Sequence, residues 1–194
     1  MLEINLNNLT KNVEAVSSSN RKLIGVVKNN AYGCGAIRVS HHLISLGVDI
    51  LFVNDIIEAI PLLEDGITQK IIVHNSIPKN YYHFLKQYPN LFITINSLAD
   101  AQNLLNSDIN KINIHIQIDT KMNRLGVKDL NEFNKIIKLI DNQKFNIDGI
   151  YTHFASPKTM EEQLEKFKQF TSVYDFPIIH CAATSTYPLT DYGN

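Results

Sequence analysis

Cysteine is scarce: Cys34 and Cys181 stand alone in 194 residues. Two thiols make no disulfide framework, and a reducing, cytoplasmic setting fits best. An excess of charge of either sign is also missing, with 18 Lys and Arg against 19 Asp and Glu for a net charge of -1. A nucleic-acid partner would need a basic surface, which this balance does not supply. No run approaches the roughly 18 apolar residues of a membrane span. The opening Met1-Leu2-Glu3-Ile4-Asn5 has neither the basic nor the apolar region of a signal peptide. Linkers, low-complexity stretches and fixed-period repeats are absent as well, so residues 1–194 read as one domain.

What is present is an ordinary globular mixture, 44% hydrophobic and 19% charged, arranged in a steady alternation. Leu2, Ile4 and Leu6 alternate with polar residues as a short strand, and a helix is expected over about 8–17. Then come strands near 23–27, 50–53, 70–74, 91–95, 113–118, 147–153 and 177–181. Helices are expected near 36–46, 55–64, 79–87, 97–105, 130–141 and 160–173, with Gly47 a C-cap and Ser97 an N-cap. Short apolar strands alternating with amphipathic helices imply a parallel sheet covered by helices. Seven such strands follow residue 23, so the expected fold class is α/β, a (β/α)8 TIM-type barrel with about seven of its eight units. An open doubly wound sheet is the alternative, but its Gly-x-Gly-x-x-Gly signal after the first strand is missing.

In a barrel of this class chemistry sits where strands end. The polar residues there are Lys28, Asn54, His74, Asp119, His153 and His180. A lysine after Gly25-Val26-Val27, buried among apolar neighbours, would have its amine freed for imine chemistry. The tight turn Asn29-Asn30-Ala31-Tyr32-Gly33-Cys34-Gly35 suits close approach of an anion, with the Tyr32 hydroxyl at hand. Each of these residues also has a plain structural reading. Lys28 could be a snorkelling surface lysine, Arg124 a helix-surface arginine, His153 a satisfied core histidine, and Asp119 or Thr184 a cap. His41, His42, His74, His83 and His115 form no metal-ligand pattern, so no metal site is expected.

The stretch Val26-Val27-Lys28-Asn29-Asn30-Ala31-Tyr32-Gly33-Cys34-Gly35 closely resembles the cofactor-attachment signature of the alanine racemases, which depend on pyridoxal 5'-phosphate (PLP). Three further stretches resemble that family in its order. They are Ile118-Asp119-Thr120-Lys121-Met122-Asn123-Arg124-Leu125-Gly126, Tyr151-Thr152-His153-Phe154-Ala155 and His180-Cys181-Ala182-Ala183-Thr184-Ser185. The resemblance implies that Lys28 carries the cofactor and acts as a catalytic base. It implies that Tyr32 and Thr184 contact the phosphate, that Arg124 lies near the phenolic oxygen, and that His153 lies beside the ring. It further implies alanine as substrate, D-alanine supply for the cell wall, a homodimer, and no membrane or nucleic-acid partner.

Departures from the family pattern accompany the match. Cys34 replaces a usual histidine, and Ala183 a frequent asparagine. Gln117 replaces a lysine that many members carbamylate to position the arginine, so chloride or the Gln117 carbonyl is expected to stand in. The family's eighth strand, and a β domain whose tyrosine acts in the partner's site, are not found in 1–194. The deficit is expected at the C-terminal end, leaving these residues prone to associate and with little activity alone. Competing readings are a non-catalytic PLP-binding barrel serving cofactor homeostasis, a degenerate structural or binding module, and a racemase for serine.

Overall fold

A computed structural model describes residues 3–17, 21–141, 143–183 and 185–193. Among the described residues, seven strands follow one another along the sheet in chain order, β1-β2-β3-β4-β5-β6-β7. They are β1 (Ile24–Val26), β2 (Ile50–Val53), β3 (Lys70–Val73), β4 (Leu91–Ile95), β5 (Ile112–Ile118), β6 (Phe145–Thr152) and β7 (Ile178–His180). Helical connections return the chain so that β1–β2, β2–β3, β5–β6 and β6–β7 pair in parallel. The helices are α1 (Leu6–Val16), which precedes β1, then α2 (Lys28–Tyr32), α3 (Ala36–Ser45), α4 (Ile56–Glu64), α5 (Tyr82–Gln87), α6 (Leu98–Leu105), α7 (Leu130–Ile140) and α8 (Met160–Thr171). The fold is an incomplete TIM-type (β/α)8 arrangement with seven of eight strands. No helix among the described residues is long and apolar enough to cross a membrane.

The chain divides into two compact units, Met1–Phe92 and Ile93–Asn194. In the first, β1 and β2 pair through Ile24↔Ile50 and Val26↔Phe52, and β2 pairs with β3 through Ile50↔Lys70 and Val53↔Val73. Leu51, Val53, Ile71 and Val73 are buried together with Leu43 of α3 and Ala59 and Leu62 of α4. Each such aliphatic side chain contributes about 1.5–3 kcal/mol by leaving water. The C-cap of α3 is Leu46, one residue before the expected Gly47, which follows it with φ +88 in the left-handed position that ends a helix.

In the second unit, Ser97 caps α6 by accepting the Asp100 N–H, and Asp129 caps α7 by accepting that of Glu132. Phe133 of α7 meets Phe170 of α8 edge-on, with ring centroids 5.2 Å apart and planes at 85°. The β5–β6 ladder slips between Ile114↔Ile147 and His115↔Gly149, so Asp148 is an extra, bulged residue.

The expected opening strand is corrected here. Glu3, Ile4 and Asn5 form no strand, and Asn5 instead caps α1 by accepting the Asn7 N–H at 3.0 Å. Leu2 lies outside the described residues. An extended segment needs a partner for its backbone groups, whereas a capped helix satisfies them internally.

Candidate functional site

In the first unit, three strand ends carry polar side chains. Lys28 follows β1, is half-buried, and has no ion-pair or hydrogen-bond partner among the described residues. The turn after it is unusual. Asn29, Asn30, Ala31 and Tyr32 all have φ between +50 and +55, one turn of left-handed helix. L-residues resist this conformation by about 1–2 kcal/mol each, asparagine less than most. The sequence pointed to a tight turn, and the structure shows that its strain falls on four residues that are not glycine.

Several hydrogen bonds hold this turn. The Ala31 N–H donates to the Val27 carbonyl at 2.8 Å, and the Gly33 N–H to that of Asn29 at 3.0 Å. The Asn30 side chain accepts from the Ala36 N–H at 2.8 Å, tying the turn to the start of α3. Glu58 of α4 accepts the Asn29 N–H with Oε1 and the Asn54 N–H with Oε2, both at 2.8 Å. Asp55 accepts from the side-chain amides of Asn54 at 3.1 Å and Asn75 at 2.9 Å. Tyr32 is 63% exposed.

In the second unit, the chain leaves β5 at Ile118 and loops back so that Val127 bridges to Ile118. Buried Asp119 organises this loop through Oδ1, which accepts the Lys121 N–H at 3.0 Å and the Asn123 N–H at 2.9 Å. Its main chain closes the loop, the Asp119 N–H donating to the Val127 carbonyl at 2.9 Å. The capping role weighed for Asp119 is what the geometry shows. Arg124 is exposed on this loop, and no carboxylate among the described residues pairs with it.

Buried Gln163 of α8 joins that loop to the one after β6. Its Nε2 donates to Thr120 Oγ1 at 3.2 Å, and its Oε1 accepts the Ala155 N–H at 3.1 Å and the Thr159 hydroxyl at 3.0 Å. His153 ends β6 on the exposed side, while its neighbour Phe154 is buried. The core-histidine alternative for His153 is therefore set aside. Thr184 lies outside the described residues.

A buried polar chain runs through the same unit. Tyr151 donates its hydroxyl to Gln117 Oε1 at 3.1 Å and meets Thr94 Oγ1 at 3.1 Å. Its ring stacks on His180, 4.6 Å between centroids and 16° between planes. His180 Nε2 meets His115 Nδ1 at 3.2 Å, and His115 Nε2 meets Asp148 Oδ2 at 3.1 Å. Burial pushes the Tyr151 hydroxyl pKa well up, opposed in part by its contact with Thr94 and the Arg124 charge. Burial and the neighbouring His115 push His180 well down, opposed by Asp148. Gln117, where a stand-in for a lost anion was expected, has its carbonyl engaged by Tyr151. Glu58, Gln163 and the His115–Asp148 pair were not singled out from sequence. Their partners lie 4 to 65 residues away, most of them beyond any local pattern.

Comparison with known proteins gives this geometry a context. The family model described as alanine racemase, N-terminal domain, matches residues 4–192. The alanine racemase of Staphylococcus epidermidis is 30% identical over 192 residues, covering 93% of this chain and 50% of that protein. The chain thus spans about half the length of the curated relatives it matches. Among solved structures, alanine racemase from Corynebacterium glutamicum superposes with a TM-score of 0.89 at 23% identity, over 97% of this chain and 58% of that one. A histidine racemase from Leuconostoc mesenteroides shares the fold too, with a TM-score of 0.81 at 21% identity over 94% of this chain and 52% of that one. With the family model matched along nearly its whole length, the chain belongs to the alanine racemase N-terminal domain family.

Proposed function

We propose that residues 1–194 are the cofactor-binding front portion of a PLP-dependent racemase that interconverts L- and D-alanine. The observation that carries this reading is Lys28, a half-buried amine at a strand end with no acid paired to it among the described residues. That amine is free for covalent attachment of a carbonyl cofactor, so the residues present fit PLP. Exposed Arg124, unneutralised by any described carboxylate, fits an electron-rich oxygen equally well.

When bound, PLP supplies an electron sink that acidifies the α-hydrogen of an amino acid. The protein's own groups do the rest. Lys28 Nζ would hold the cofactor and would serve as the base that moves the proton on one face of the substrate α-carbon. By the family pattern, the Tyr32 and Thr184 hydroxyls would hold the phosphate, Arg124 would serve the phenolic oxygen, and His153 would serve the ring. No residue of 1–194 is assigned to the opposite face, so a polypeptide of these residues alone is expected to turn over little or no alanine. The complete protein is read as a cytoplasmic homodimer supplying D-alanine for the cell wall. Alanine against serine is to be decided by assaying both with the complete protein.

The test is to add PLP, reduce with borohydride, and map the modified residue by mass spectrometry. A label on Lys28 that disappears in Lys28→Ala is the expected result. A label spread over surface lysines, with none on Lys28, overturns the reading.

A further inference from the structure

The left-handed turn after Lys28 poses a physical problem. Four consecutive L-residues in this conformation relax to another backbone unless surrounding contacts hold them. Several of those contacts are local, among them the Ala31 N–H to the Val27 carbonyl, the Gly33 N–H to the Asn29 carbonyl and the Asn30 side chain to the Ala36 N–H. A further one comes from another helix. Glu58 spends one carboxylate oxygen on the Asn29 N–H and the other on the Asn54 N–H, both at 2.8 Å.

Half of this arrangement recurs elsewhere. An acid four residues beyond a strand end takes the strand-end N–H at Asn96, which donates to Asp100 Oδ2 at 3.0 Å. An acid reaching across to a distant backbone N–H recurs at Glu132, whose Oε1 accepts from Leu98 at 3.0 Å. Asp55 also joins two strand ends, through the side-chain amides of Asn54 and Asn75, but only at Glu58, among the described hydrogen bonds, does one carboxylate accept backbone N–H groups after two different strands, and one of its partners is the residue next to Lys28. Both oxygens are engaged only while the group is a carboxylate, since a protonated acid or an amide offers one acceptor and presents a donor to the other N–H.

We infer that Glu58 is a positioning residue that clamps the strained turn and thereby sets where the Lys28 amine stands. The inference rests on the reading of Lys28 as the attachment residue, and its test separates the two. Glu58→Gln keeps the shape and removes one acceptor; Glu58→Asp keeps the charge but is too short to reach both N–H groups, and serves if Glu58→Gln does not fold. Glu132→Gln is the control, removing an acid of the second unit that also accepts a distant N–H but makes no hydrogen bond to the turn.

Each variant is treated briefly with PLP and borohydride, and the label on Lys28 is compared with that on the other lysines of the same sample. Amide hydrogen exchange at Asn29 is followed in parallel. The expected result in Glu58→Gln is a Lys28 label about tenfold weaker relative to the other lysines, the loss of about one charge-assisted hydrogen bond. Exchange at Asn29 should be faster. Glu132→Gln should leave both readouts unchanged even if its melting temperature falls. An unchanged Lys28 label in Glu58→Gln, or an equal fall in Glu132→Gln, overturns the clamp. If the parent chain shows no label at Lys28, the cofactor reading fails, and exchange at Asn29 decides the clamp: unchanged exchange in Glu58→Gln overturns it, and faster exchange supports it.

Discussion

His180 shows how far one side chain's chemistry is set by its neighbours. The Asp148 carboxylate only accepts, so His115 holds a proton on Nε2. His180 Nε2 faces His115 Nδ1 at 3.2 Å, and burial together with that neighbour keeps His180 neutral. Its pKa lies below the ordinary 6.5 in the folded state. As pH falls through 6.5, the unfolded chain takes up a proton that the folded chain refuses, so stability drops; as pH rises the loss is recovered. Replacing His180 with Asn should flatten this slope between the lowered folded value and 6.5. Urea midpoints measured from pH 5 to 7.5 would show it, and an unchanged slope would mean that other groups carry the acid sensitivity. Nothing at position 180 foretold this contact. The sequence marked the residue only as polar at a strand end, because its partners His115 and Asp148 lie on β5 and at the β6 bulge.

At the scale of elements, strands β2 and β4 lie where apolar runs placed them, and helix α6 begins at its expected cap. These boundaries were readable because hydrophobic period and capping are local. The β6 bulge was not, since it answers to packing between strands. An added Cβ at Gly149 would sit 2.6 Å from His115 Cε1, so glycine there admits the histidine ring. The loop carrying Arg124 has the same dependence on a single position. Gly126 has φ +114, and a Cβ there would fall 2.8 Å from the Asp119 nitrogen and 2.9 Å from the Ile118 carbonyl carbon. Gly126→Ala should cost about 2 kcal/mol or more, through strain and backbone collision. Chemical denaturation would measure that loss. Faster amide exchange at Lys121 and Asn123 would place it in the Asp119 loop, and protection like that of the parent chain would refute the local account.

For the molecule as a whole, the alternation of strand and helix carried the fold class, and four separated motifs carried the family. Missing from the sequence was the handedness of the turn after Lys28, because residues 29–32 include no glycine to announce it. That handedness has a stereochemical consequence. The left-handed region is the natural basin of D-amino acids, so at these positions the mirror-image residue is the better fit. A semisynthetic chain with D-asparagine at position 29 keeps the N–H that Glu58 accepts while shedding the local penalty. Its melting temperature should rise by about 3 °C for about 1 kcal/mol, whereas D-residues placed within α3 or α4 should lower it.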